Sequence, residues 1–504
     1  MDKIASREVG LLADQPGLGK TLEVLGTLER WGHFERRYSI SLILSPIVAA
    51  HSAWKRTIEQ FVQPRYDVDI IDLAQGSTAQ KKKTLAEALE RDTDAPAIII
   101  ANHNAIDKTK DGFRIPELYE IDLSAIVVDE SHMVLPIAND RKLTNFWQGM
   151  LKFNYVRNRI AVSGTPDRGK MENRYGTYRF LMPSAYANVN RWQWLENNFY
   201  VFDKKVSRTR TIRAVGSLKN SDRWSKIEDD VIVRRTKSEV LKELPPKQYN
   251  FVELELHKEQ YDNYKQQFIE ALDASEQAKE NDKVSAAMMT FALRGRQMAG
   301  CTWVDDGKTW QPLLHGKSAK LDWIVEWLEE RDYKGLKRSG QVVISSQFTK
   351  VLNWLYDELT YRGYNAEVLS GATTTKRRIE IQQRFQDPAD DLKIVLLSGK
   401  MGVGIDLDQA DDLIMFDIPY DPDSIEQVED RIHRASNMHQ VTIWTLIGLR
   451  TIDQTVAHTV SKRYRQTRES LDGRRGIEFE RKVLQTLRIK MSEGADKLPL
   501  KETA

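Results

Sequence analysis

The sequence predicts an α/β protein with two doubly wound parallel sheets joined by a helical middle. The first observation is a series of short apolar runs with little polar alternation, at residues 9–12, 41–44, 68–71, 97–100, 125–128 and 159–162. Such runs indicate parallel strands that are buried on both faces. The second observation is that longer amphipathic stretches, 21–31, 53–61 and 79–90, lie between them. Repeated strand–helix units favour a parallel sheet with right-handed crossovers.

A second alternating series gives the third observation. Apolar runs recur at residues 342–344, 366–369, 394–397, 413–416 and 441–444, with helical segments 350–361, 375–385 and 424–434 between them. Between the two series the strand signal fades, and the chain is aromatic, basic and then polar and helical from 258 to 300. The tail from Ser461 is rich in arginine and lysine.

These patterns predict five segments along the chain. They are a first α/β lobe at 1–166, a basic and aromatic helical insertion at 167–250, a helical linker at 251–316, a second α/β lobe at 317–460 and a basic helical tail at 461–504. At roughly 150 residues per domain, a chain of 504 residues has room for about three cores of ordinary size.

Composition excludes several classes of protein. A hydrophobic fraction of 41% with 29% charged residues is globular and excludes a wholly disordered chain. The single cysteine, Cys301, excludes an intrachain disulfide, so we expect a reducing, intracellular compartment. Since no apolar run approaches about 20 residues, we expect no membrane partner. The net charge of +2 does not exclude nucleic acid, because binding depends on where the charges lie.

A candidate phosphate loop lies between the first predicted strand and helix. Its sequence is Asp14-Gln15-Pro16-Gly17-Leu18-Gly19-Lys20-Thr21. Backbone N–H groups of Gly17, Leu18 and Gly19 can turn onto phosphate oxygens, with Lys20 on the β- and γ-phosphates and Thr21 on Mg²⁺. Asp14 stands where the strict pattern has its first glycine, so an ordinary strand–helix turn is the alternative.

Two carboxylates follow the fifth apolar run. Asp129 and Glu130 end a strand, and strand ends of open α/β sheets face the ligand crevice. Asp129 can hold Mg²⁺, directly or through water, while Glu130 polarises the attacking water. The alternative is an acidic turn that caps a helix.

Two arginines lie in the second lobe at helical spacing. Arg431 and Arg434 are three residues apart and project from one helix face. Such a pair can stabilise charge on a transferring phosphoryl group. The alternative is a solvated helix face with salt bridges.

Taken in order, the motifs resemble those of the Swi/Snf family of DNA-dependent ATPases, within helicase superfamily two. The matching segments are 14–21 (motif I), Ser45-Pro46 with Trp54 (Ia), 129–132 (II), Ser163-Gly164-Thr165-Pro166 (III), 347–349 (IV), 402–407 (V) and 427–434 (VI). Further family signatures are Arg234-Arg235-Thr236-Lys237, Leu244-Pro245-Pro246-Lys247, Ser318-Ala319-Lys320-Leu321 and Thr451-Ile452-Asp453.

The resemblance implies two RecA-like lobes that close around ATP and Mg²⁺ and move along duplex DNA. Lys20, Glu130, Arg431 and Arg434 are then catalytic, and Gln427 lies near the nucleotide. The family's glutamine-containing adenine-recognition element has no counterpart before Asp14. Either the start codon is misplaced, or a separate polypeptide supplies the element, or adenine is recognised differently. The compact pattern is similar to bacterial or phage motors, which implies a cytoplasmic location, or a nuclear one in a eukaryote.

Two basic clusters are candidates for DNA contact. The first follows an aromatic stretch and comprises Lys204, Lys205, Arg208, Arg210 and Arg213. The second comprises Lys462, Arg463, Arg465, Arg468, Arg474 and Arg475 in the tail. A solvated surface is the alternative for each.

Other activities use the same motifs. A strand-separating or branch-migrating, annealing DNA helicase and the motor subunit of a larger DNA-processing complex remain open. The two signatures at 234–237 and 244–247 disfavour an RNA helicase. A non-hydrolysing DNA-binding scaffold is disfavoured by the presence of Lys20, Glu130, Arg431 and Arg434.

Overall fold

A computed structural model describes most of the chain. The described residues are 2–46, 54–90, 94–167, 170–205, 211–219, 230–277, 281–305, 309–331, 340–387, 389–399, 405, 407–433 and 439–471. They divide into two compact units, the first within Met1–Val240 and the second beginning at Leu241.

The first unit is built on a parallel sheet. Its strands are β1 (Val9–Leu12), β2 (Ile40–Ser45), β3 (Asp69–Leu73), β4 (Ala97–Asn102), β5 (Lys108–Thr109), β6 (Gly112–Phe113), β7 (Ala125–Val128), β8 (Asn158–Val162), β9 (Phe199–Lys205), β10 (Thr211–Leu218) and β11 (Ile232–Val233). Its helices are α1 (Asp2–Ala5), α2 (Lys20–Arg30), α3 (Lys55–Phe61), α4 (Thr78–Leu89), α5 (Asn145–Met150), α6 (Arg174–Leu181), α7 (Arg191–Asn198) and α8 (Lys237–Val240). Seven of these strands form a sheet in the order β11-β1-β8-β7-β2-β4-β3, with every pair in it parallel. The other four form two antiparallel pairs, β5 with β6 and β9 with β10.

Both faces of this sheet are covered, which explains the continuous apolar runs. On β7, Ile126 and Val128 pack into one hydrophobic cluster while Ala125 and Val127 pack into the other. Because successive strand side chains point to opposite faces, a strand buried on both sides cannot alternate apolar with polar residues. The carboxyl ends of the strands are therefore the places where polar side chains appear.

The second unit repeats this architecture. Its strands are β12 (Gln248–Leu254), β13 (Trp303–Asp305), β14 (Trp310–Pro312), β15 (Val342–Ser346), β16 (Ala366–Leu369), β17 (Ile394–Ser398), β18 (Asp412–Met415) and β19 (Thr442–Gly448). Its helices are α9 (Lys258–Gln277), α10 (Asn281–Gly300), α11 (Ala319–Glu330), α12 (Thr349–Tyr361), α13 (Thr375–Gln386), α14 (Pro422–Ile432) and α15 (Ile452–Leu471). Six of these strands form a parallel sheet in the order β12-β19-β18-β15-β17-β16, while β13 and β14 form an antiparallel pair.

A buried ion pair closes the second unit. The Lys320 ammonium on α11 donates to the carboxylate of Asp453 on α15 and to the Phe416 carbonyl, each at 2.7 Å. The same carboxylate accepts the Gly448 N–H at 3.1 Å. Because Lys320 and Asp453 are both buried, each charge depends on the other and on these backbone groups for compensation.

The structure confirms the predicted α/β class and adds strands that the sequence pattern did not indicate. Within 167–250, predicted as helical, β9 and β10 form an antiparallel hairpin, and β11 joins the edge of the first parallel sheet. β12 crosses the predicted boundary at residue 250 and joins the edge of the second sheet, and the predicted helical linker 251–316 also contains the β13–β14 pair. The hairpin strands are largely exposed, so burial imposes little apolar pattern on them. The long helical stretch at 258–300 is two helices, α9 and α10. Among the described residues, no helix is both long and apolar enough to cross a membrane.

His33 is a buried titratable group in the first unit. Its Nδ1 lies 2.9 Å from the Ser39 hydroxyl, and its Nε2 lies 2.7 Å from the Asn158 side-chain nitrogen. Burial, with a smaller effect from Arg36, lowers the pKa of His33 to about 4. An amide N–H donates to Nε2, so protonation there would bring two donors together.

We expect acid to destabilise the first unit through His33. In the unfolded chain His33 takes up its proton near pH 6.5, whereas the folded chain does so only near pH 4. The free energy of unfolding should therefore fall as the pH is lowered from about 6.5 towards 4. Urea denaturation across this range should show a shallower dependence for His33→Gln. His458→Gln, at an exposed position on α15, is the control, and an unchanged profile in His33→Gln would contradict the assignment.

Candidate active site

The phosphate loop, residues 14–21, connects β1 to α2 with two left-handed glycines. Gly17 has φ of +86° and Gly19, the residue before α2, has φ of +84°. A Cβ at Gly19 would meet no atom within 4 Å, so the backbone conformation, not lack of space, favours glycine there. Both glycines are exposed. An exposed loop of this shape at a helix N-terminus fits a phosphate chain.

The loop holds the predicted phosphate-binding side chains together. Lys20 begins α2, and its ammonium donates to the Asp14 carbonyl at 3.0 Å, so the side chain spans the loop. Thr21 follows as the second residue of the helix, half-buried beside it, as is Leu18 within the loop. The structure thus places Gly17, Leu18 and Gly19 in the loop and Lys20 and Thr21 in the first turn of the helix that follows it.

Asp14 is fully buried and is compensated by a distant arginine. Its Oδ1 accepts a hydrogen bond from the Arg235 backbone N–H at 2.7 Å. Its Oδ2 accepts hydrogen bonds from the guanidinium of Arg235, from Nε at 3.0 Å and from Nη2. Arg235 also pairs with Glu23 on α2. The charge of a buried carboxylate in the loop is therefore balanced by a residue 221 positions away.

Residues 234–247, which we name the connecting segment, begin beside the loop. The Ala13 N–H donates to the Val233 carbonyl at 2.7 Å, and the Gln15 N–H donates to the Arg235 carbonyl at 3.1 Å. The Lys237 N–H then donates to the Gln15 side-chain oxygen at 2.7 Å. These bonds extend the β1–β11 pairing along the phosphate loop. The sequence had identified 234–237 only as a family signature, without a place in the site.

Arg234 links the phosphate loop to the end of β8. One guanidinium nitrogen donates to the Ala13 carbonyl at 2.7 Å and to the Gly164 carbonyl at 2.8 Å. A Cβ at Gly164 would lie 3.0 Å from Cδ of Pro16, so the two loops approach closely. Motifs I and III are thus held at fixed spacing by a residue of the connecting segment.

Asp129 follows β7 and is oriented by three donors. Its Oδ2 accepts from the Ser45 hydroxyl and the Trp54 indole N–H, and its Oδ1 accepts the Glu130 N–H, each at 2.9 Å. Two donors occupy Oδ2, while Oδ1 retains a lone pair. That acceptor and the Thr21 hydroxyl are the kind of oxygen donors that fit Mg²⁺ beside phosphate. Within the described ranges, no cluster of three or more His, Cys, Asp or Glu side chains could hold a metal by itself.

Glu130 lies in an unusual backbone conformation. Its φ is +44°, a left-handed value that costs a non-glycine residue roughly 1 kcal/mol or more. Its carboxylate lies 3.3 Å from Nδ1 of His132, and that nitrogen lies 2.9 Å from the Ser163 hydroxyl. The strained residue is therefore connected through His132 to the end of β8. Phosphate loop, Glu130 and Ser163 follow three adjacent strands, β1, β7 and β8.

The second unit carries the arginine helix, α14. Arg431 is buried, and its guanidinium donates to the Ile405 carbonyl at 3.5 Å, while the Leu407 N–H donates to the Arg431 carbonyl at 3.0 Å. Gln427 is half-buried on the same helix. Arg434 lies outside the described residues.

The far end of the connecting segment is bonded to α14. The Lys247 ammonium donates to the buried Glu429 carboxylate at 2.7 Å, and the Tyr249 hydroxyl donates to it at 3.0 Å. Burial alone would lower the pKa of Lys247, but the contact with Glu429 outweighs it and raises the pKa. His433 Nε2 lies 2.8 Å from the Pro245 carbonyl. The second signature is therefore attached to the helix that carries Arg431.

Three residues of the first basic cluster, Lys204, Lys205 and Arg213, lie on the β9–β10 hairpin and not on a helix. Lys204 and Lys205 are exposed on β9, whereas Arg213 on β10 pairs with Glu196 and lies 5.0 Å over the Trp192 ring. Arg208 and Arg210 lie outside the described residues. So do Arg474 and Arg475 of the tail, as well as the side chains of Lys462, Arg463, Arg465 and Arg468.

An aromatic face accompanies the lysines on β9. Tyr200, Phe202 and Lys204 alternate along the strand and so share one face. The two rings are 59% and 52% exposed. This hairpin face therefore combines stacking surfaces with positive charge.

Two known family models together match most of the chain. The model of the SNF2-related domain matches residues 3–301, and that of the helicase conserved C-terminal domain matches residues 319–436. Among curated proteins, the mouse SWI/SNF-related matrix-associated actin-dependent regulator of chromatin subfamily A member 1 is 25% identical over 462 residues, 89% of this chain and 40% of the relative. The ISWI chromatin-remodeling complex ATPase ISW2 of Saccharomyces cerevisiae is 23% identical over 467 residues, 90% of this chain and 38% of the relative. The chain thus spans about two fifths of the length of these relatives.

Removing the Arg235 side chain should destabilise the first unit through Asp14. Arg235→Leu leaves a buried carboxylate with only one backbone donor, at a cost of roughly 2–3 kcal/mol. Adding Asp14→Gly removes the stranded charge and should recover most of that loss, which a double-mutant cycle by urea denaturation measures. The control is Arg7→Leu, whose exposed pair with Asp230 is worth less than about 1 kcal/mol. Strictly additive effects of the two substitutions would contradict the coupling.

Proposed function

Since the chain belongs to the SNF2-related family of helicase-like ATPases, we propose that it is a motor that hydrolyses ATP to translocate along duplex DNA. The observation that carries this proposal is the convergence of three loops at the ends of β1, β8 and β7. They present an exposed phosphate loop with Lys20, a hydroxyl link at Ser163 and the carboxylates of Asp129 and Glu130. Such a set of groups suits phosphoryl transfer to water.

Each of these residues of the first unit has a separate role in the proposed hydrolysis. Loop N–H groups and the Lys20 ammonium neutralise phosphate charge. Thr21 and Asp129 would hold Mg²⁺, which supplies positive charge to the phosphate oxygens. Glu130 accepts a hydrogen bond from the attacking water and orients it. His132 positions the Glu130 carboxylate and joins it to Ser163.

The second unit supplies the arginines. Arg431 and Arg434 act as fingers that stabilise charge on the transferring phosphoryl group, with Gln427 near the nucleotide. This role makes hydrolysis depend on lobe closure, since the fingers and Lys20 belong to different units. Closure coupled to turnover is what a stepping motor requires.

Two observations support the proposal that the motor moves along DNA: the names of the relatives and the charge on the β9–β10 hairpin. The relatives are named as regulators of chromatin and as chromatin-remodeling ATPases. On this chain Lys204 and Lys205 offer exposed charge for backbone phosphates, and we include Arg208, Arg210 and Arg213 in the same contact. Contacts of this type position a protein on the duplex without reading its sequence.

A strand-separating or annealing activity is the second candidate. The exposed rings of Tyr200 and Phe202 favour it, because aromatic side chains stack on unpaired bases. The motor itself would be unchanged, and the hairpin would contact the junction between duplex and single strands.

The ATPase rate with no nucleic acid, single-stranded DNA, duplex, fork and RNA tests the proposal. We expect duplex DNA to stimulate turnover most, and stimulation by forks or single strands above duplex would favour the second candidate. Glu130→Gln should bind ATP but hydrolyse it at least about a hundredfold more slowly, because the amide keeps the shape and loses the charge. Lys20→Ala should lose most turnover.

The controls separate catalytic from structural effects. Lys83→Ala, at an exposed position on α4, should retain the wild-type rate. Turnover near wild type in a folded Lys20→Ala protein would overturn the phosphate-loop assignment. If Glu130→Gln lost ATP affinity but kept its rate at saturating ATP, Glu130 would be a binding residue instead.

The hairpin lysines should control the salt dependence of DNA affinity. Each phosphate neutralised on duplex DNA contributes a slope of about −0.9 in log K against log salt. Lys204→Ala with Lys205→Ala should therefore flatten the slope by up to about 1.8. Lys83→Ala, at an exposed position on α4, is the control and should leave the slope unchanged. A slope equal to wild type in the double variant would show that Lys204 and Lys205 are solvated and do not contact the DNA backbone.

A further inference from the structure

A second lysine lies against the phosphate loop. The Cε and Nζ atoms of Lys237 lie 3.5 and 3.7 Å from the position that a Cβ on Gly17 would occupy. The side chain is only 6% exposed, although Gly17 itself is exposed. The Lys237 ammonium therefore lies over the glycine that begins the left-handed part of the loop.

Backbone contacts fix this lysine relative to the loop. The Lys237 N–H is bonded to the Gln15 side chain at 2.7 Å, and the Gln15 N–H is bonded to the Arg235 carbonyl at 3.1 Å. The Arg235 N–H is bonded in turn to Asp14 at 2.7 Å. These hydrogen bonds join residues 14 and 15 of the loop to residues 235 and 237 of the connecting segment. Lys237 therefore cannot shift along the loop without breaking them.

The charges around the loop favour an anion. N–H groups at the start of α2 carry partial positive charge, and Lys20 and Lys237 add two ammonium groups beside them. Asp14, the acidic residue of the loop, already accepts three hydrogen bonds from Arg235. A polyphosphate carries several negative charges, which these N–H and ammonium groups can compensate.

We propose that Lys237 is a phosphate-binding residue of the ATP site, a second lysine that contacts the polyphosphate chain at the Gly17 end of the loop. This inference rests on the proposed ATP-binding function and adds a residue to that site. A charge-assisted hydrogen bond to phosphate is strong enough that its loss should weaken binding about ten- to a hundredfold.

Nucleotide affinity tests the inference without relying on turnover. Lys237→Met keeps the side-chain length and removes the charge. We expect ten- to a hundredfold weaker binding of fluorescent ATP, and equally weaker competition by inorganic tripolyphosphate, which reports on phosphate contacts alone. Lys237→Arg should retain most of the affinity, and the thermal unfolding temperature of both variants should match wild type. Lys242→Met, at an exposed position beyond α8, is the control and should bind as wild type.

The outcomes separate this inference from the proposed function. If wild type binds ATP, Lys20→Met weakens binding and Lys237→Met binds within twofold of wild type, Lys237 is not a phosphate ligand. A loss of affinity that Lys237→Arg does not rescue, together with a lower unfolding temperature, would also overturn the inference, because it would indicate a packing role. If wild type itself binds no ATP, the proposed function fails as well.

Discussion

The ion pair between Asp14 and Arg235 is the interaction on which the phosphate loop depends. A carboxylate without solvent exposure is costly, so this loop conformation requires the guanidinium beside it. Arg235 is placed there by β11, a strand of two residues at the edge of the sheet. The loop at the beginning of the first unit is therefore complete only when the last strand of that unit has paired. This places Arg235 in the same compact unit as the loop, although 221 positions separate it from Asp14.

The connecting segment carries that dependence into the second unit. At its start, Arg234, Arg235 and Lys237 contact the phosphate loop and the end of β8. At its end, Lys247 is bonded to Glu429 on the helix of Arg431. A short stretch of chain thus has one end bonded to the phosphate-binding residues and the other to the arginine helix. The two signatures of the sequence are thus the two ends of one short segment, each bonded within its own unit.

The sequence pattern was sufficient to predict the structure where burial determines which residues are apolar. β7 is apolar at every position because both of its faces are covered, and polar residues follow at Asp129 and Glu130 where the sheet ends. The pairing of Asp14 with Arg235 had no such signal, since periodicity does not report contacts across 221 residues. Its one trace was the acidic residue in place of a loop glycine, which requires a buried cation somewhere. The exposed hairpin was missed because packing imposes no period on it.

Adjacent carboxylates acquire different chemistry from their surroundings. Three donors, from Ser45, Trp54 and the Glu130 backbone, fix the orientation of the Asp129 carboxylate, and they leave an acceptor on Oδ1 alone. Such a group suits a metal ligand, whose position must not change during the reaction. Glu130 has the strained backbone, and its carboxylate contacts the side chain of His132. Strain of this kind persists only when surrounding contacts enforce it, and the contact with His132, which also meets Ser163, is one such contact. The two neighbouring acidic residues therefore differ in their surroundings, with three hydrogen-bond donors at Asp129 and an imidazole beside Glu130.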